Sequence, residues 1–84
     1  MNRLGFIILS ILNRSEATGK LSSMTLREIA ETENLEMKEN TIFKKLKEFE
    51  GAGYIKRGLK EGRADTFYIT PEGCGLLKRE KEAL

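Results

Sequence analysis

Apolar side chains occur in bursts separated by polar, turn-forming stretches, and the spacing inside each burst predicts its geometry. Leu4, Phe6, Ile7, Ile8, Leu9, Ile11 and Leu12 occupy nearly every side of a helix over about Asn2 to Asn13. A surface helix needs only one apolar stripe. Some of this surface therefore needs a second partner: the first or last helix of another subunit across a two-fold interface, or full burial within one monomer. Ser15-Glu16-Ala17-Thr18-Gly19-Lys20 is a polar connection, and a short strand is expected near Ser22 to Met24. Thr25 stands three residues before Glu28, the spacing of a capping box that satisfies free amides at a helix start. The second helix carries Leu26, Ile29 and Ala30 inward. Its pattern lapses around Thr32-Glu33-Asn34, where Asn suits a left-handed cap, with Leu35 and Met37 anchoring the turn.

Ile42, Leu46 and Phe49 recur at i, i+4 and i+7 with Phe43 beside them, which predicts a third helix from about Lys38 to Glu50. Its opposite face is polar, and Gly51-Ala52-Gly53 supplies residues that end helices. Tyr54 to Leu59 and Ala64 to Ile69 mix β-branched and aromatic residues around Lys60-Glu61-Gly62-Arg63, a β-hairpin with a basic tip. Tyr54 and Tyr68 are expected as half-buried strand residues. Thr70-Pro71-Glu72 combines a capping hydroxyl, a proline suited to the first helical position and an acid at the positive end of the dipole. A fourth helix follows, with Leu76, Leu77 and Leu84 on its apolar side. The expected fold is mainly α with a small β-hairpin (α+β), in the order helix, short strand, helix, helix, strand, strand, helix, as one domain over residues 1–84.

Size sharpens the expectation of a partner. A chain of 84 residues buries only about 60 to 65% of its unfolded surface and gains unusually from packing against a second copy. The composition is that of a soluble globular protein. The run Leu4 to Leu12 is too short to span a bilayer and lacks a convincing cleavage site after it, so it reads as a core helix of a cytoplasmic protein. Cys74 is the one cysteine and histidine is absent, which removes an internal disulfide, Cys/His zinc sites and histidine catalysis. Cys74 is expected as a small packing residue, with a redox-sensing thiol as the alternative. The glycines spell no phosphate loop and no nucleophile–base pair is recognisable, so no enzyme activity, metal or cofactor is expected.

A net charge of +2 is too small to identify an anionic partner, but its distribution is informative. Between Leu26 and Glu36, Arg27 stands alone against Glu28, Glu31, Glu33 and Glu36. From Lys38 to Arg63 cations prevail: Lys38, Lys44, Lys45, Lys47, Lys56, Arg57, Lys60 and Arg63 against Glu39, Glu48, Glu50 and Glu61. For any single lysine the bland reading is a solvated face. Taken together, the third helix has the form required to enter a DNA major groove. Asn40, Thr41, Lys44 and Lys45 would face base edges, and Lys38 and Lys47 would meet phosphates. Arg63, with Lys60 and Arg57, would reach the adjacent minor groove, whose negative potential favours Arg.

The stretch Thr41-Ile42-Phe43, Leu46-Lys47-Glu48-Phe49-Glu50, Gly53-Tyr54-Ile55 and Phe67-Tyr68-Ile69-Thr70-Pro71-Glu72-Gly73 resembles winged helix-turn-helix transcriptional regulators of the PadR and MarR kinds. The resemblance covers about Thr25 to Leu77. It implies a DNA-binding homodimer, with the third helix in the major groove of double-stranded DNA and the hairpin as a wing beside it. The dimer surface is expected on the first and last helices, at Leu4, Ile7, Ile8, Ile11, Leu77 and Leu84. The stretch from Ala30 to Ile42 is about two residues longer than a minimal helix-turn-helix, and Lys38-Glu39 replaces the usual small cap. No small-molecule effector is evident. The competing reading is a protein-contact module in which the hydrophobic first helix is the working surface and the lysines only solubilise the other side.

Overall fold

The computed structural model describes residues 1–33 and 37–83. The expectations for Asn34, Leu35 and Leu84 lie outside the described residues. Four helices and a three-stranded antiparallel sheet follow one another as α1 (Arg3–Arg14), β1 (Met24–Thr25), α2 (Leu26–Thr32), α3 (Glu39–Ala52), β2 (Ile55–Arg57), β3 (Thr66–Ile69) and α4 (Pro71–Glu82). This is the expected α+β order.

Local signals set most boundaries. Asn2 caps α1 by accepting from the Gly5 amide at 2.8 Å. The capping box is present: the Thr25 hydroxyl accepts from Glu28 N at 3.1 Å, and the Glu28 carboxylate accepts from Thr25 N at 3.0 Å. At the start of α3, Lys38 holds the cap position with no side-chain bond to the helix. The end of α3 is firm. Gly53 adopts φ +83°, a left-handed conformation that costs glycine little, while its N–H and that of Tyr54 close onto Glu50 O and Phe49 O. Thr70 caps α4 with Pro71 in its first turn, as expected.

β3 is the central strand, with β1 and β2 on either side. Ile55 pairs with Ile69 and Arg57 with Phe67 across one ladder, and Met24 pairs with Phe67 across the other. The hairpin strands are shorter than expected because the arms part after Arg57. Gly58 N–H still bonds Thr66 O at 3.0 Å, but Leu59 N–H turns to Lys20 O at 3.4 Å. A Cβ on Gly58 would clash with Ser23, so glycine lets the wing lie directly against the α1–β1 connection. Farther out, Glu61 and Ala64 pair again and close the tip.

Every helix and both hairpin strands contribute to one buried cluster: Ile8, Leu9, Ile11 and Leu12 from α1, Ile29 from α2, Ile42, Leu46 and Phe49 from α3, Ile55, Phe67 and Ile69 from the sheet, and Leu77 from α4. Three of these assignments correct the expected dimer surface. Ile8 and Ile11 have no exposed area and Leu77 only 2%, so all three are used within their own monomer and cannot touch another chain in this conformation. Leu4 and Ile7 keep partly exposed flanks on α1, as does Phe6. Cys74, Tyr54 and Tyr68 are half-buried.

Candidate nucleic-acid interface

α3 is anchored by Ile42, Leu46 and Phe49, and at about 100° per residue Asn40 and Lys44 fall opposite that buried stripe. Thr41 lies on one flank of this outer face and Lys47 on the other, where its ammonium sits 5.9 Å from the Phe43 ring. Asn40, Thr41, Lys44 and Lys47 are all exposed, and so is Lys38 just ahead of the helix. The structure therefore gathers five of the six α3-region candidates on one accessible surface.

Lys45 is the exception. It is rotated toward Phe49, its ammonium 5.6 Å from the ring and 2.8 Å from Glu48 Oε2, with its side chain only 14% exposed. Its charge is partly neutralised and its stem is used in packing, so it does not share the outer face. The error was one of rotation: adjacent helix positions point about 100° apart.

The wing divides its three candidates similarly. Arg63 is exposed at the tip, and Lys60 is exposed with its ammonium 3.8 Å from Asp65 Oδ1. Arg57 is not free. Its Nε donates to Glu50 Oε2 at 2.9 Å, its Nη1 donates to Asp65 Oδ2 at 2.7 Å, and its guanidinium lies 5.5 Å from the centroid of Phe67. The hydrogen bond to Glu50 is the main cause of a raised Arg57 pKa, with the charges of Glu50 and Asp65 adding to it against partial burial. Arg57 thus belongs to the base of the wing rather than to its exposed tip.

Two cations that the sequence pattern does not place at this surface lie near it. Arg27 is exposed in the first turn of α2 and borders an open groove of about 520 Å³ between α2, α3 and the wing. Lys20 is exposed on the α1–β1 connection, and its carbonyl is bound by Leu59 N. No local pattern marks Lys20, because only the wing's docking brings it there. The groove also carries Glu39, Glu61 and Asp65. A polyanion would be repelled by these carboxylates and drawn to the cationic α3 face and wing tip.

Among the described residues, no three His, Cys, Asp or Glu side chains gather as a metal site. No described helix is long and apolar enough to cross a membrane.

An exposed polar helix beside a two-stranded wing, on a helix-turn-helix core, defines the winged helix-turn-helix class, the class of the transcriptional regulators that the sequence resembles. No family model matches the chain. The DNA-binding protein TubR of Clostridium botulinum C phage is 35% identical over 78 residues, spanning 93% of this chain and 94% of that protein. The chain belongs to the TubR family. TubR from Bacillus megaterium pBM400 superposes with a TM-score of 0.81 at 21% identity, over 95% of this chain and 86% of that one. A PadR family transcription regulator from Clostridium difficile R20291 gives 0.78 at 22% identity, over 98% and 86%. At those identities the likeness shows the fold.

Proposed function

We propose that this chain is a sequence-specific double-stranded DNA-binding protein, acting as a small transcriptional regulator. The observation that carries the reading is the exposed outer face of α3, with Asn40 and Lys44 opposite its buried stripe and Thr41 on the flank, beside the basic wing, in a chain related to a DNA-binding protein. α3 enters the major groove. Asn40 and Thr41 are short side chains suited to close base contact, Lys44 reaches bases or phosphates one turn on, and Lys38 and Lys47 meet the backbone. Arg63 and Lys60 approach the adjacent minor groove.

The protein acts as a homodimer in the cytoplasm. Phe6 and Ile7 on the outer side of α1, with Leu4 at the edge of its buried face, form its apolar contact, and Phe6 and Ile7 line a shallow groove together with Ser10, Arg14 and Lys81. On a palindromic site, two such subunits would place their α3 helices about 34 Å apart. The protein-contact alternative has less to work with, because most of α1's apolar surface is inside the monomer.

Selection of bound duplexes from a random pool tests the reading. Enrichment of a palindrome, bound with an affinity that falls steeply with salt as counterions are released, is the expected result. A pool that stays random, or salt-independent retention, overturns it.

A further inference from the structure

Arg57 occupies the point where the wing leaves the sheet, and its planar fork is held from three directions. Glu50 grips it from the last turn of α3, Asp65 from the returning arm of the wing, and Phe67, its cross-strand partner, forms the floor. Arg57, Glu50 and Asp65 side chains are each about one-third exposed. Such a fork fixes orientation as well as distance, because both carboxylates meet donors in one rigid plane. A second brace lies on the other side of the wing base. The Thr66 hydroxyl donates to Leu59 O at 2.6 Å and accepts from Ser23 at 2.7 Å, tying both arms to the α1–β1 connection.

We infer that Arg57 is a positioning residue that locks the wing to the recognition helix, and that its acidic partners Glu50 and Asp65 thereby promote DNA binding. The inference rests on the DNA-binding reading above. Arg57 makes no DNA contact of its own. It holds the tip where Arg63 and Lys60 can engage one groove while α3 occupies the next, so that both elements bind as one preorganised surface. Simple charge counting gives the opposite expectation. Removing Asp65 deletes a negative charge beside the interface and releases Lys60, both of which favour a polyanion.

The test measures affinity for the selected duplex, or for a mixed-sequence duplex at low salt, with wild type, Asp65→Ala, Glu50→Ala, Arg63→Ala, Lys44→Ala and the double variants. Asp65→Ala and Glu50→Ala are each expected to weaken binding, by about tenfold for Asp65→Ala, despite the gain in net positive charge. Arg63→Ala should cost about tenfold in the wild type but less than about twofold in the Asp65→Ala background, whereas Lys44→Ala should cost the same in both. A general loss of folding would not separate those two penalties. Thermal melts accompany each variant, and Asp65→Asn and Glu50→Gln carry the same prediction where an alanine variant does not fold.

Tighter binding by Asp65→Ala, equal Arg63→Ala penalties in both backgrounds, or no Arg63→Ala penalty in the wild type overturns the inference. A wild-type chain that binds no duplex at all refutes the underlying DNA-binding reading instead.

Discussion

Thr70→Val should destabilise the protein far more than its small change in shape implies. Thr70 is 2% exposed, and its hydroxyl performs two tasks: it accepts from Gly73 N at 3.1 Å, capping α4, and donates to Gly53 O at 2.6 Å, just beyond α3. Valine fills the same volume and can do neither. Losing an N-cap costs about 0.5–2 kcal/mol, and a further lost hydrogen bond about 1 kcal/mol. Together these give a loss of about 1.5–3 kcal/mol, large against a total stability of about 4–13 kcal/mol for a chain of this length. In melting temperature the loss corresponds to a fall of about 6–24 °C. Urea unfolding followed by circular dichroism, at matched protein concentration so that any self-association shifts every midpoint alike, gives the number. Thr70→Ser keeps the hydroxyl and should lose only about 0.8 kcal/mol for the missing methyl. A Thr70→Val variant within about 0.5 kcal/mol of wild type, or a Thr70→Ser variant equally damaged, would show that the hydroxyl does not join the two helices.

Lys44→Ala should weaken DNA binding and reduce the magnitude of the salt slope by about 1, measured by fluorescence anisotropy across a salt series; an unchanged slope would remove Lys44 from the phosphate contacts. Ile7→Glu should yield a folded monomer by sedimentation equilibrium, whereas Ile11→Ala should lose about 2–5 kcal/mol of stability without altering the association state; the reverse pattern would exchange the two faces of α1. Gly58→Ala should destabilise the fold by about 1–3 kcal/mol, because the added Cβ meets Ser23 and comes within 2.8 Å of the Lys20 carbonyl. A Gly58→Ala melt indistinguishable from wild type would mean that the wing does not rest on that connection.

What the sequence revealed and what it hid follow a physical division. Thr25 with Glu28, Gly53, and Thr70 with Pro71 act on backbone groups within a few residues, so their spacing shows on the page before any tertiary structure is known. The partition of similar side chains does not. Ile7 and Ile8 differ only by one step around α1, yet one keeps a partly exposed flank and the other has none. Lys44 and Lys45 diverge for the same reason. Arg57 is decided still less locally, since Glu50 and Asp65 reach it only after the hairpin register and the α3–β2 turn are fixed. The basic character of the wing was legible, but which of its cations remain available was not.

The small sheet also bears on how the protein tolerates crowding. Its central strand is β3, and the two flanking strands are only two and three residues long. Neither border offers a row of free amides and carbonyls long enough to template another chain. Molecules concentrated on neighbouring stretches of a polymer would thus meet through helical or charged surfaces, which dissociate readily, rather than through strand addition that could seed a fibril.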